Sequence, residues 1–129
     1  MRAAKVPQMP GDGKIHLVDD YALSLLLAAH LERERAGGDL TVVESYLREL
    51  FAIEHLLTLD HYLAPFAHAE QARVHIARCD TDLARKELSH IRSAYKHYSN
   101  EPQLQMRLHV MQQELDDRDH QDRRASAPF

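Results

Sequence analysis

Four short breaks decide what this chain can become. Gly37-Gly38, Pro65, the Asp80-Thr81-Asp82 run and the Ser99–Pro102 stretch divide its middle into five segments, and in each the apolar residues recur at three- and four-residue steps. That spacing lines one face of an α-helix, whereas a half-buried strand alternates at every second residue. No run in the chain reads as a convincing strand, so the expected class is all-α.

The first segment, about Val18–Ala36, is apolar on nearly every side from Tyr21 to Leu31, which predicts a central helix. Asp19 and Asp20 suit its positive N-terminal end, and the glycine pair stops it. The second runs from about Leu40 to Leu63, with Thr41 and Glu44 at capping-box spacing and Tyr46, Leu50, Ile53 and Leu57 on one face. Pro65 is tolerated in the first turn of a third helix, Pro65–Cys79, with Phe66, Ala69, Ala72 and Ile76 inward. The Asp-Thr-Asp run offers caps for a fourth, Asp82–Tyr98, with an inner stripe of Ala84, Leu88, Ile91, Tyr95 and Tyr98. Leu104, Leu108, Met111 and Leu115 form the stripe of the fifth.

Short connections favour antiparallel neighbours. The expected architecture is therefore a small antiparallel helical bundle of four to five helices, two hairpins plus a C-terminal helix, over residues 17–115. Residues 1–16 carry Pro7, Pro10, Gly11 and Gly13 and read as a flexible arm; the mixed-charge residues 116–129 read as a disordered tail. Within the bundle, "AEQARVHIARCDTDLARKELSHIRSAY" resembles a single tetratricopeptide unit in its small Ala72 and in Ala84 followed by Leu88. The resemblance implies tetratricopeptide-like (TPR-like) helical hairpins as the alternative. It covers under a third of the chain, lacks the repeat's aromatic and glycine positions, and has no second copy at a period of about 34 residues. A closed bundle is the expected form.

Ten histidines raise the question of metal. Chelation from one helix needs ligands three or four residues apart. His61, His68 and His75 are spaced by seven, about 10.5 Å along a helix, so His68 and His75 cannot share an ion that way, and neither can His90 and His97. Two closer pairs survive, His75 with Cys79 and Glu87 with His90, and these four donors make up a metal-binding alternative of the kind zinc accepts. Register opposes it: about the turn at Asp80, His75 and His90 are offset by roughly 7 Å. A di-iron carboxylate site needs two Glu-x-x-His motifs, and only one is present. "HIRSA" at 90–94 resembles the phosphotransfer motif His-x-x-Lys-Gly, without its lysine and glycine, and implies a histidine phosphotransfer domain acting through His90 as a second alternative. His30, set among leucines and alanines, reads as a partly buried histidine with a partner.

Catalytic signals are thin. Cys79 is the one cysteine, which rules out an intrachain disulfide; His75 precedes it by one turn, but no third orienting group is evident, so a structural thiol is expected. There is no glycine-rich phosphate loop and no serine elbow. No enzyme activity and no cofactor are expected. A net charge of −4, from 16 basic and 20 acidic side chains, argues against a nucleic-acid partner. "ALSLLLAAHL" falls far short of the ~20 residues that span a bilayer, and the N-terminal stretch lacks a signal peptide's apolar run, so no membrane partner and a cytoplasmic location are expected.

The remaining expectation is a non-enzymatic protein–protein interaction module, an adaptor, chaperone or regulator acting through an apolar helical face, and a homodimer. Five apolar stripes offer more surface than a small bundle easily encloses. Leu104, Met106, Leu108, Val110 and Met111 spread around the fifth helix, and methionine suits an adaptable interface. Tyr95 and Tyr98 are the expected aromatic anchors beside it.

Overall fold

A computed structural model of the chain describes residues 13–126, with side chains for 17–124. The breaks act as the sequence predicts. α1 (Gly13–Glu34) ends before Gly37, whose φ is +74°, and Gly38, where a Cβ would lie 1.9 Å from the Glu32 carbonyl oxygen, so the turn into α2 (Leu40–Ile53) admits only glycine there. Asp39 caps α2, its carboxylate accepting the Thr41 N–H at 2.8 Å. Glu44, expected in a capping box with Thr41, instead crosses to pair with Arg78. A single 3-10 turn, Glu54–Leu56, follows α2; then come α3 (Leu63–Ala77), α4 (Thr81–Ala94) and α5 (Glu101–Ser126). α3 closes with Cys79 at φ +61°, where Asp80 N–H returns to the His75 carbonyl at 2.8 Å and Cys79 N–H to that of Ile76 at 3.0 Å. That paired return is the Schellman arrangement, with cysteine in the left-handed position glycine usually takes.

The all-α bundle forms as expected, but its centre is α3, not α1. Leu63, Ala67, Ala69, Ala72, Val74 and Ile76 are all buried, on different sides of one helix. Its alanines let neighbouring backbones approach from every direction. α3 belongs to two cores: one shared with α1 and α2 around Leu25, Leu47 and Leu50, the other with α4 and α5 around Leu88, Ile91, Leu104 and Leu108. Every substantial helix contact joins elements that are adjacent or one apart in the chain, so the bundle is an open stack of overlapping three-helix cores. α1 lies at the edge. Its leucines exceed what two neighbours can cover, and Leu27 and Leu31 remain 51% and 66% exposed.

The stack repeats itself. Val43, Leu47 and Leu50 of α2 and Ala84, Leu88 and Ile91 of α4 are buried at a constant spacing of 41 residues. The same spacing relates Leu63, Ala67, Glu70 and Val74 of α3 to Leu104, Leu108, Met111 and Leu115 of α5. Polar contacts follow it with charges exchanged: Glu44–Arg78 joins the ends of α2 and α3, and Arg85–Asp119 joins the corresponding places on α4 and α5. Gln71 beside His75 recurs as Gln112 beside Asp116. The hairpin α2–α3 is thus repeated as α4–α5, at a period longer than the tetratricopeptide spacing.

Four boundaries differ from expectation. α1 begins at Gly13, which places Asp19 inside the helix instead of at its start. Its carboxylate reaches out to the backbone N–H groups of Thr58, Leu59 and Asp60 at 3.0, 2.8 and 2.8 Å. Those three donors need no helix, and the second helix ends at Ile53, ten residues early, with Leu57 extended at ψ 137°. Burial pushes the Asp19 carboxyl up, but the bonds from Thr58, Asp60 and Leu59 outweigh it and hold it below its ordinary value. α4 stops at Ala94, where Tyr95 turns extended. α5 continues to Ser126, through the segment expected to be disordered. Arg85 pairs with Asp116 and Asp119, and Arg118 donates to the Ile76 carbonyl at 2.8 Å, so the charged stretch has fixed partners on α3 and α4. Most of the expected arm, residues 1–12, and the last three residues lie outside the described residues. Among the described residues no helix is long and apolar enough to cross a membrane.

Candidate functional site

Three histidines, His68, His75 and His90, gather on the side of α3 that faces α2 and α4. Phe51 of α2 stacks on the His68 imidazole, ring centres 4.3 Å apart and planes 22° from parallel. His68 Nδ1 hydrogen-bonds one oxygen of Glu87, and the other oxygen lies 3.9 Å from His75 Nε2. His68 and His75 lie seven residues apart on one helix, yet a carboxylate from the facing helix spans them. His90, exposed on α4, packs edge-on against His68 at 4.7 Å, and Tyr95 lies within 6 Å of both rings. The Tyr95 hydroxyl donates to Glu54. Burial first, and then the Glu54 and Glu87 carboxylates, hold that phenol protonated well above its ordinary range.

The alternative metal set of His75, Cys79, Glu87 and His90 is not gathered among the described residues. His90 meets His68 and not His75, as their offset on antiparallel helices requires. Cys79 stands exposed at the end of α3 and makes no hydrogen bond to His75 among the described residues. Among those residues no group of three or more histidine, cysteine, aspartate and glutamate side chains is placed to hold a metal ion. The expected partner face on the fifth helix also divides. Leu104, Leu108 and Met111 are at most 1% exposed and belong to the second core; only Met106 and Val110, at 67% and 44%, point outward. Tyr95 and Tyr98 are half-buried, Tyr98 against the second core.

Sequence reasoning missed a groove on the opposite side of α3. α3 forms its floor, and α1 and α5 form its walls. Successive contacts show that these three helices run parallel: Asp19 meets Leu59 and Asp60 while Arg33 reaches Glu70, and Arg107 lies over Phe66 while Arg73 reaches Glu114. Two adjoining pockets, about 330 and 350 Å³, share His30, Glu70 and Arg107. The first is apolar, walled by Leu23, Leu27, Tyr62 and Phe66; the second is ringed by Arg33, Glu34 and Arg73.

Charge within the groove is unevenly matched. Glu70 is 4% exposed, at the register position that Met111 fills in α5. Arg33 Nε donates to it at 2.6 Å and His30 Nδ1 lies 3.0 Å away, so His30 has the partner its setting predicted. Burial pushes the Glu70 carboxyl up, and the Arg33 hydrogen bond and charge, helped by His30, more than reverse this and leave it below its ordinary value. Arg33 also meets Glu34 at 3.1 Å, and Arg73 is held by Glu114 at 2.6 Å. Arg107 differs. Its guanidinium lies over the Phe66 ring, 5.4 Å from the centre, and among the described residues it meets no carboxylate. A clue was present in the sequence: the surplus leucines at Leu27 and Leu31 lie four apart, on one flank of α1.

No family model, curated protein or solved structure matches this chain.

Proposed function

We propose that the protein is a non-enzymatic protein–protein interaction module, an adaptor, chaperone or regulator, that holds an apolar segment of another protein in the groove between α1 and α5. The observation that carries this reading is the half-exposed Leu27 in the wall of a preformed pocket that Leu23, Tyr62 and Phe66 also line. Exposed leucines scattered singly need no explanation, but leucines that continue the wall of a pocket mark a place where another apolar group fits.

Selection from a displayed library of random peptides tests it. The expected outcome is recovery of sequences with at least two large apolar residues, whose affinity falls about tenfold or more in Leu27→Asp, a change at a half-exposed position whose fold circular dichroism checks. Peptides that bind Leu27→Asp and wild type alike would remove the groove from consideration.

The internal repeat favours a second copy of the chain as a further occupant, at a different place. Pro65, Ala69 and Ala72 of α3 are buried beneath the following hairpin. Their counterparts 41 residues on are Met106, Val110 and Gln113, all exposed. α5 therefore presents the surface on which α3 receives its next neighbour, and a homodimer through α5 would cover it. Sedimentation velocity is expected to give a dimer for wild type and a monomer for the double variant Met106→Glu, Val110→Glu; a wild-type monomer at high concentration would rule the dimer out.

A further inference from the structure

We infer that the segment held in the α1–α5 groove carries an acidic side chain beside its apolar anchor, and that Arg107 reads that carboxylate. This rests on the interaction reading above and adds the chemistry of the partner.

Two of the groove's three arginines are already neutralised. Arg33 is occupied by Glu70 and Glu34, and Arg73 by Glu114. Neither has a charge to spare for a ligand. Arg107 sits where the two pockets meet, lines both of them, and meets no carboxylate among the described residues. In a chain with a net charge of −4, a guanidinium left in this state is exceptional within the groove. The Phe66 ring beneath it attracts the cation and restricts its motion, while the ring face satisfies none of its N–H donors. The result is a fork of donors presented above an apolar floor. Such a fork takes a carboxylate through two parallel hydrogen bonds, about twice as strong as neutral ones.

Position selects the source of the carboxylate. A chain terminus would end at Arg107. Here the groove continues on both sides of it, toward Leu23 and Leu27 in one direction and toward Arg73 and Met111 in the other. A segment that fills both pockets therefore passes Arg107 in mid-course, and the group it offers there is an aspartate or glutamate side chain. Its apolar neighbour drops into the pocket between Leu27 and Phe66. The buried Glu70 below repels a misplaced acid from the floor, which fixes the carboxylate at the level of Arg107.

Fluorescence anisotropy with three synthetic peptides, each carrying two leucines and differing only in a central glutamate, glutamine or lysine, tests the inference. Each is amidated at its C-terminus; a fourth carries the glutamine and a free terminal carboxylate. The glutamate peptide is expected to bind wild type about tenfold more tightly than the glutamine peptide, with the lysine peptide weakest and the preference shrinking as salt rises. Arg107→Gln is expected to erase the preference for the glutamate peptide over the glutamine peptide. Arg107 is exposed, so the variant keeps its fold, and circular dichroism checks this. Equal binding of glutamate and glutamine peptides overturns the inference but not the groove. A preference only for the free terminus overturns the mid-course position. Failure of every peptide to bind overturns both the inference and the interaction reading beneath it.

Discussion

Replacing Arg33 with alanine is expected to cost about 3–5 kcal/mol, because it strands a carboxylate in the interior. The Glu70 side chain is 6% exposed and Arg33 18%, and the guanidinium supplies both the closest hydrogen bond and the nearest full charge. Once it is gone, only His30 remains beside Glu70. The double variant Arg33→Met, Glu70→Met is expected to recover most of the loss. The register equivalent of Glu70 in α5 is already a methionine, Met111, buried to 1%, so the site tolerates that shape. Urea denaturation followed by circular dichroism checks both. The pH dependence has a definite sign. In wild type the Glu70 carboxyl lies below its ordinary 4.5, so its stabilising share is complete above that pH and is lost as pH falls through the lowered value. In Arg33→Ala burial dominates and raises the carboxyl. The gap between variant and wild type is then widest at neutral pH and narrows on acidification, as the stranded group protonates. A gap that stays constant from pH 7 to pH 4 would mean that Glu70 is not the source of the cost.

The pair also accounts for much of what was and was not legible in the sequence. Where local chemistry decides, the reading held. Gly38 is irreplaceable because of one carbonyl 1.9 Å away, and the stripe Leu104, Leu108, Met111 and Leu115 is buried throughout. Where a distant side chain decides, it failed. Nothing local ends the second helix at Ile53; Asp19, nearly forty residues earlier, draws Thr58, Leu59 and Asp60 away from it. Nothing local orders residues 116–126, which Arg85 and Ile76 hold from other helices. Counting apolar residues pointed to α1 as the centre, but centrality depends on how closely neighbours approach, and the alanines of α3 allow more of that than the leucines of α1. The repeat escaped notice because its second copy exchanges glutamate for arginine and lies at 41 residues, so identity is low while burial and contact pattern persist. The groove escaped notice for the same reason as the bridge between His68 and His75: each is assembled from several helices, and no single segment carries its spacing.

The division of α5 yields the second large effect. Leu104→Asp is expected to destabilise the stack by more than about 4 kcal/mol, whereas Met106→Asp, two residues away, is expected to fall within about 0.5 kcal/mol of wild type. Leu104 is 0% exposed, in the apolar core with Leu88, Ile91 and Leu108, while Met106 is 67% exposed. An intermediate change calibrates the pair: Leu108→Ala removes buried volume without adding charge and is expected to cost about 2–5 kcal/mol, depending on how far α3 and α4 close the gap. Because α3 serves both cores, loss of the second core exposes Ala69, Ala72 and Ile76 on the helix that also anchors the first. Leu104→Asp is therefore expected to lower the urea midpoint of the whole described structure in one transition instead of detaching α4 and α5 as a separate step. A variant that keeps wild-type stability with aspartate at 104 would place that residue on an outer face after all. Two transitions, the first reporting α4 and α5 and the second reporting α1 and α2, would show that α3 holds its first core without the second, and that the two halves of the repeat fold as independent units.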